Sequence, residues 1–273
     1  MQFKSLENIP ISIITHAFNA SFADYELPLQ FSEEALMQKI QFEDIDLTNS
    51  VGAFDGEQLV GLIFFGFDGQ TAWDGGTGVI PAYRGQKLTQ RMLEYGFPIL
   101  KANGINRVLL EVLKNNTTAY KIYERAGFKP LRLLHAYKGE INPTSTNQRN
   151  IAILAAPDFG ALLQMGEDTP PWQQMNKRIQ NRGDIITTIC IKADDDAVAY
   201  AHFDAKTGRV WQFATSSTYR QQGMASTLFE YIGQACNCPI TVINVDESSK
   251  ANQFLQSIGL NHFISQYEMD MYL

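Results

Sequence analysis

Apolar positions along this chain recur with two periods, and the places where the period changes mark out its elements. Residues 12–22 carry Ile13, Ile14, Ala17, Phe18 and Phe22 at helical spacing, and the stretch 22–28 breaks the pattern. Ser32-Glu33-Glu34-Ala35 opens a second helix with Ser32 as its N-cap. Two apolar runs, 50–54 and 59–66, flank Asp55-Gly56-Glu57-Gln58 and read as a hairpin. A strand then enters Gly78-Val79, and a tight turn leads into a helix with Leu88, Met92, Leu93 and Tyr95 on its apolar side. Pro98 is expected to kink that helix or end its regular part. Arg107–Leu113 is a run of apolar residues and reads as a buried strand. A helix carrying Ala119, Ile122, Tyr123 and Ala126 stops at Gly127, and a strand over 131–137 closes the pattern.

The polar stretch 139–150 contains Pro and Gly and reads as a linker. Beyond it the pattern returns. A hairpin joins 197–203 to 209–214, and a helix after Arg220 carries Met224, Leu228, Phe229, Ile232 and Ala235. A strand follows over 240–245, then a helix with Ala251, Phe254, Leu255 and Ile258 ahead of Gly259. Arg220 stands 136 residues after Arg84 and Gly259 stands 132 after Gly127, so short insertions separate two copies of one unit. The expected domains are 1–140 and 141–273, each of the size of one ordinary core.

The turn at Gly78-Val79-Ile80-Pro81-Ala82-Tyr83-Arg84-Gly85-Gln86-Lys87-Leu88-Thr89 is where chemistry is expected. A strand that turns at once into a helix leaves the first helical N–H groups unpaired. The helix dipole adds partial positive charge, and the site suits a phosphate or pyrophosphate. Arg84 is expected to supply a full charge beside it, and Gly85 to let a ligand approach the main chain. The second copy runs through Arg220, Gln221, Gln222, Gly223, Met224 and Ala225.

Composition narrows the picture. With 45% hydrophobic and 19% charged residues the chain is of the soluble globular kind. Its net charge is −7 without any run of Lys and Arg, so no nucleic-acid partner is expected. An acidic surface suits a cationic acceptor and equally suits solubility alone. No 18 apolar residues run together, so no membrane span is expected. The first residues lack an apolar signal core, and Cys190, Cys236 and Cys238 make no disulfide framework, which fits a reducing cytoplasm. Cys236 and Cys238 have no second cluster to complete a metal site, so none is expected. His16, His135, His202 and His262 form no constellation along the chain, and Asp194-Asp195-Asp196 reads as a solvated turn.

Val79-x-Pro81-x-x-Arg84-Gly85, followed by Leu110-x-Val112-x-x-x-Asn116-x-x-Ala119-x-x-x-Tyr123-x-x-x-Gly127-Phe128, resembles the GNAT superfamily of acyl-CoA-dependent N-acyltransferases. The similarity covers both halves. It implies an α/β (α+β) fold of two tandem GNAT-like domains, each a mixed, mostly antiparallel twisted sheet flanked by helices, with a splayed strand pair. It implies acetyl-CoA as cosubstrate, its pantetheine arm on Gly78, Val79 and Ile80 and its pyrophosphate on the N–H groups of Arg84, Gly85, Gln86, Lys87, Leu88 and Thr89. Asn116 matches the family's cofactor-contacting Asn, and Tyr123 matches the tyrosine that acts as general acid. A small-molecule amine or a peptide is the implied acceptor.

The first copy departs from the family's Arg/Gln-x-x-Gly-x-Gly/Ala loop at Lys87 and Thr89, whereas Arg220-x-x-Gly223-x-Ala225 keeps it. Yet Ser248 and Leu255 stand in the second copy where Asn116 and Tyr123 stand in the first. The first domain is therefore expected to be catalytic and the second degenerate or auxiliary. Chemistry in the second domain, or a non-catalytic coenzyme A-binding module, is the alternative. Periodicity alone places Tyr123 in a core face, and Asn116 also reads as a helix cap. Asp74 and Glu111 are the carboxylates nearest the slot and candidate bases, against a bland reading as solvated or turn residues. Phe22 and Tyr25 are candidates for an acceptor pocket, against a core reading.

Overall fold

The computed structural model describes residues 1–27, 29–142 and 150–273. Pro28, in the expected break, and 143–149, in the expected linker, lie outside the described residues. Contacts divide the chain into two compact units: Met1–Leu131 with Tyr267–Leu273, and Arg132–Gln266. The division at 140/141 follows chain composition, whereas these units follow contacts in space.

In the first unit, β1 (Gln2–Ser5), β2 (Val51–Asp55), β3 (Gln58–Asp68) and β4 (Thr71–Val79) pair antiparallel in that order, and β4 pairs parallel with β5 (Arg107–Leu113). The last residues of β12 (Asn261–Tyr272) lie beside β5: Leu273 N–H donates to Asn106 O at 2.9 Å, and Arg107 pairs with Asp270 at 2.9 Å. Alternate residues of β3 serve two cores. Ile63 and Phe65 pack with Met92 and Leu93 of α3 (Leu88–Ala102). Leu62 and Phe64 pack with Ile14 and Phe18 of α1 (Ile11–Ser21) and Leu36 of α2 (Glu33–Phe42). Burial on both faces explains the unbroken apolar run that the sequence shows there. Ser32 caps α2 as expected, accepting from Ala35 N–H. Pro98 does not end α3, which continues to Ala102. Pro98 is exposed, so the carbonyl it leaves unpaired meets water, while Met92, Gly96 and Leu100 hold the other face. Tyr95 lies on the exposed side of that helix, not in its apolar stripe. Helix α4 (Thr117–Ala126) ends at Gly127 with φ 107°, and β6 (Lys129–Gly139) begins there.

The second unit repeats the plan. Strands β7 (Ile151–Ile153), β8 (Thr187–Ala193), β9 (Asp196–Asp204) and β10 (Arg209–Thr215) pair antiparallel, β10 pairs parallel with β11 (Ile240–Asp246), and β11 pairs antiparallel with the part of β6 beyond Leu131. Helices α7 (Met224–Ala235) and α8 (Ala251–Ser257) cover one face with Leu228, Phe229, Ile232 and Leu255. The short helix α5 (Phe159–Leu163) puts Leu162 against Cys190 and Tyr200 on the other, and α6 (Asn176–Gln180) follows it. The elements that the periodicity did not resolve are β1, β7, β8, β12, α5 and α6.

Candidate active site

Both βα turns have one conformation. After β4 comes a single 3₁₀ turn, Pro81–Tyr83, then Arg84 in extended backbone, Gly85 at φ 78°, and Lys87 at φ 58° as the residue preceding α3. After β10 come Ser217–Tyr219, extended Arg220, Gln221 at φ 59° and Gly223 at φ 80° preceding α7. Left-handed backbone at two alternate positions turns successive N–H groups to one side. Those of Gly85, Gln86 and Lys87 have no acceptor among the described residues, and Leu88, Thr89 and Gln90 open the helix. Nothing lies within 4 Å of where a Cβ on Gly85 or Gly223 would be, so the main chain can be approached closely. These features fit a pyrophosphate.

Two of the expected donors are taken. Arg84 N–H donates to Pro81 O at 3.2 Å, and Ile80 N–H donates to Val60 O at 2.9 Å. The Arg84 side chain does not stand free beside the loop. Its Nε donates to Val79 O at 3.1 Å, Nη2 to Ser21 O at 3.0 Å, and the fork pairs with both oxygens of Asp24 at 2.6 and 2.8 Å. That partner holds the Asp24 carboxyl below its ordinary pKa. Arg84 is thus a clamp between α1 and the end of β4. Arg220 repeats the clamp, with Nε on Thr215 O at 3.0 Å and Nη1 on Glu167 at 2.6 Å.

Between β4 and β5 the pairing covers Thr71–Trp73 with Arg107–Leu109 only, and beyond it the strands part. At that point β4 is bulged: Phe65 faces Asp74, Phe64 faces Gly76, and Gly75 has no partner. The bulge lets Gly76 N–H donate to Asp74 Oδ1 at 2.8 Å. Asp74 Oδ2 accepts from Thr77 Oγ1 at 2.5 Å and from the Tyr123 hydroxyl at 3.3 Å. Asp74 is therefore no solvated turn residue. Loss of solvent raises its pKa, against the pull of the Thr77, Gly76 and Tyr123 bonds and the Lys39 ammonium. Burial, then the charge of Asp74, hold the Tyr123 phenol well above its usual value. Glu111 sits half-buried in β5, and the carboxylate that accepts from Tyr123 is Asp74. Asn116 is the N-cap of α4, its Oδ1 accepting from Ala119 N–H at 3.1 Å.

Phe22 and Tyr25 follow α1 and meet edge to face at 5.3 Å. Phe22 and Ser21 lie over Gly78, where a Cβ would come within 2.6 Å of Ser21 Cβ and 3.0 Å of the Phe22 ring. Burial, with Glu26 beside it, pushes the Tyr25 phenol up to about 12. Glu26 in turn accepts from the Asn115 side chain, tying this segment to the residue before the α4 cap. Thr77, Asp24 and Glu26 had no sequence signal, since only the bulge and the return of α1 bring them here.

The second unit shows the same bulge at Trp211, between the pairs Val210–Phe203 and Gln212–His202. Trp211 stands 136 residues after Gly75, so Val210 takes the place of Asp74 and Phe213 that of Thr77. Leu255 is fully buried in the core, and Ser248 donates its N–H and its hydroxyl to Asp246 Oδ1 in a turn instead of capping a helix. A cavity of about 690 Å³ lies in the opening of β10 and β11, lined among others by Trp211, Phe213, Gln221, Gly223, Ala225 and Val242. His135 Nδ1 and His262 Nε2, unremarkable along the chain, both meet Ser265 Oγ, at 2.9 and 2.8 Å. Among the described residues there is no metal-ligand cluster, and no helix is long and apolar enough to cross a membrane.

A bulged strand that leaves its parallel neighbour above an amide-lined turn occurs here twice. Residues 14–128 match the Acetyltransferase (GNAT) family and 164–270 match an Acetyltransferase (GNAT) domain. The chain belongs to the GNAT acetyltransferases, in tandem two-domain form. Solved structures show the same fold over the whole chain. A putative acetyltransferase from Pyrococcus horikoshii is 13% identical with a TM-score of 0.73, covering 100% of this chain and 89% of its own. A GCN5-related N-acetyltransferase from Sphaerobacter thermophilus is 12% identical with a TM-score of 0.74, covering 99% and 95%. A tandem GNAT protein from the clavulanic acid biosynthesis pathway is 9% identical with a TM-score of 0.72, covering 99% and 98%. No curated protein sequence matches the chain.

Proposed function

We propose that the first unit transfers an acetyl group from acetyl-CoA to a primary amine by direct attack in a ternary complex, and that the second unit is auxiliary. The observation that carries this reading is the Tyr123–Asp74–Thr77 group where β4 leaves β5, replaced in the second unit by Leu255, Val210 and Phe213. Acetyl-CoA supplies the activated acyl group. The N–H groups of Gly85, Gln86, Lys87, Leu88 and Thr89 take its pyrophosphate. The edge of β4 that β5 leaves uncovered at Gly78 and Val79, where Val79 O is already held by Arg84 Nε, takes the pantetheine arm, and Asn116 orients α4 beside it. Tyr123 is the general acid for the departing sulfur, because a phenol held protonated at neutral pH has a proton to give. Phe22 and Tyr25 bound the acceptor side, where an amine would lie near Asp74.

The cavity in the second unit supports a second cosubstrate site on Arg220, Gln221, Gln222, Gly223, Met224 and Ala225, and through it the rival reading that chemistry lies there. Thr89→Glu and Ala225→Glu place one negative charge at each helix start and separate the two. Thiol release should be monitored against amines, polyamines, aminoglycosides and peptide N-termini. Thr89→Glu should abolish release and Ala225→Glu should leave it intact; the reverse would move the chemistry to the second unit. Tyr123→Phe should lower kcat roughly 100-fold with little change in acetyl-CoA affinity.

A further inference from the structure

We infer that Asp74 and Tyr123 act as one proton relay, and that Thr77 is the positioning residue that makes them one. The inference rests on acyl transfer in the first unit. A single oxygen, Asp74 Oδ2, accepts from both hydroxyls, Thr77 at 2.5 Å and Tyr123 at 3.3 Å. Oδ1 is fixed by the Gly76 N–H at 2.8 Å, which only the bulge at Gly75 brings into reach. With Oδ1 bonded to main chain and one direction at Oδ2 filled by Thr77, the carboxylate cannot turn away from the phenol. The Lys39 ammonium of α2, itself paired with Glu43, faces the carboxylate, and the Tyr25 phenol beyond α1 faces Tyr123 of α4.

The second unit supplies an internal control. Its bulge and its arginine clamp are intact, yet Val210, Phe213 and Leu255 stand where Asp74, Thr77 and Tyr123 stand. All three polar groups are absent together, as expected of parts that are useful only as a set.

The chemistry follows from charge. Tyrosinate and carboxylate side by side in an enclosed site repel strongly. Tyr123 can therefore release its proton readily only as Asp74 gains one. The amine lone pair forms the C–N bond while the C–S bonding pair leaves on sulfur. The phenolic proton of Tyr123 turns from Asp74 Oδ2 to the sulfur, and Oδ2, with that direction vacated, takes the surplus proton from nitrogen. The proton on Asp74 then crosses the 3.3 Å contact to the phenolate and restores both groups. The net change is one proton from nitrogen to sulfur, with nothing left over.

Two measurements test this on the full chain. The first needs no turnover: the alkaline titration of Tyr123, followed by NMR of ring-labelled tyrosine and assigned with Tyr123→Phe. Asp74→Asn should shift it to lower pH, and Thr77→Val should shift it while Thr77→Ser restores the wild-type curve. The second is kinetic. Thr77→Val should lower kcat roughly ten-fold without changing KM for acetyl-CoA, with rescue by Thr77→Ser. The double variant Asp74→Asn/Tyr123→Phe should be no slower than Tyr123→Phe alone, as for groups acting as a unit. Transfer with a Tyr123 titration unmoved by Asp74→Asn, or with additive losses in the double variant, overturns the relay alone. A shifted titration with no transfer to any amine overturns the relay together with the acyl-transfer reading beneath it.

Discussion

At position 202 the second unit buries an imidazole where the first buries a phenyl ring. His202 pairs across to Gln212 as Phe64 pairs to Gly76, and both are fully buried. His202 Nδ1 meets Thr188 Oγ1 at 2.8 Å, its ring stacks on Phe159 at 4.9 Å, and burial pushes its pKa down to about 4. The unfolded imidazole takes a proton near pH 6.5 that the folded one refuses. Stability should therefore be undiminished above pH 6.5, fall as pH drops towards 4, and level off below it. The loss from this group is roughly 3 kcal/mol at one pKa unit per 1.4 kcal/mol. His202→Phe should remove that part of the acid sensitivity and cost about 1 kcal/mol at pH 7, because Thr188 loses its partner. Urea unfolding at pH 7 and pH 4.5 reads both. Lys87 makes the converse case in the first unit. It holds φ 58° at the position that Gly223 occupies in the second, at a cost of about 1 kcal/mol for a residue with a Cβ. Lys87→Gly should stabilise the first unit by roughly that amount. If the exposed ammonium also serves a pyrophosphate, acetyl-CoA binding should weaken a few-fold in the same variant, as calorimetry would show.

At the level of elements, the β4 turn shows what a sequence discloses and what it withholds. Strand, turn and helix were legible because apolar spacing changes from 2 to 3.6 at Pro81, and because Gly127 and Gly259 stop the helices that follow. The use of Arg84 was not legible. A cation at a helix start reads as a ligand for phosphate, but its partners Ser21 and Asp24 lie some 60 residues away and come to it only through the packing of α1. For Asp74 the sequence left two readings, candidate base or solvated turn residue, because it does not show that the chain bends here in a bulge within a strand. Gly78, which the resemblance implies as a main-chain contact for the pantetheine arm, also has a packing role: its missing Cβ lets α1 close on β4 through Ser21 and Phe22. The second unit has Ala214 in that place. Gly78→Ala forces Ser21 Cβ, 2.6 Å from the new atom, to move, and should cost about 1–3 kcal/mol. The displacement should also loosen the Arg84–Ser21 contact, which hydrogen exchange at the end of α1 would report.

For the whole molecule, the residues of the first unit are not contiguous in the chain, whereas those of the second are. The first unit takes Tyr267–Leu273 from the far end, and the second begins at Arg132, within the strand that the periodicity placed last in the first copy. Composition carries no information on which strand pairs with which, and a repeat has two equivalent partners for each. The borrowed residues are integral to the first unit: Met269 is fully buried in its core, Met271 lies 3.1 Å from where a Cβ on Gly127 would be, Tyr267 packs on Tyr120 at 5.3 Å, and Asp270 pairs with Arg107. Gly127 and Tyr120 flank Tyr123 in α4 and its cap, so the far end of the chain helps support the helix that presents the phenol. Truncation after Gln266 should therefore destabilise the first unit, although residues 1–131 are untouched. Exposing Met269 alone forfeits about 2 kcal/mol of apolar burial, before the Arg107–Asp270 pair is counted. Thermal unfolding should lose or lower the transition of the first unit while that of the second persists, and thiol release should fall with it. A truncated chain with full activity and an unchanged first transition would show that the last strand is dispensable to the site, and that 1–131 builds it alone.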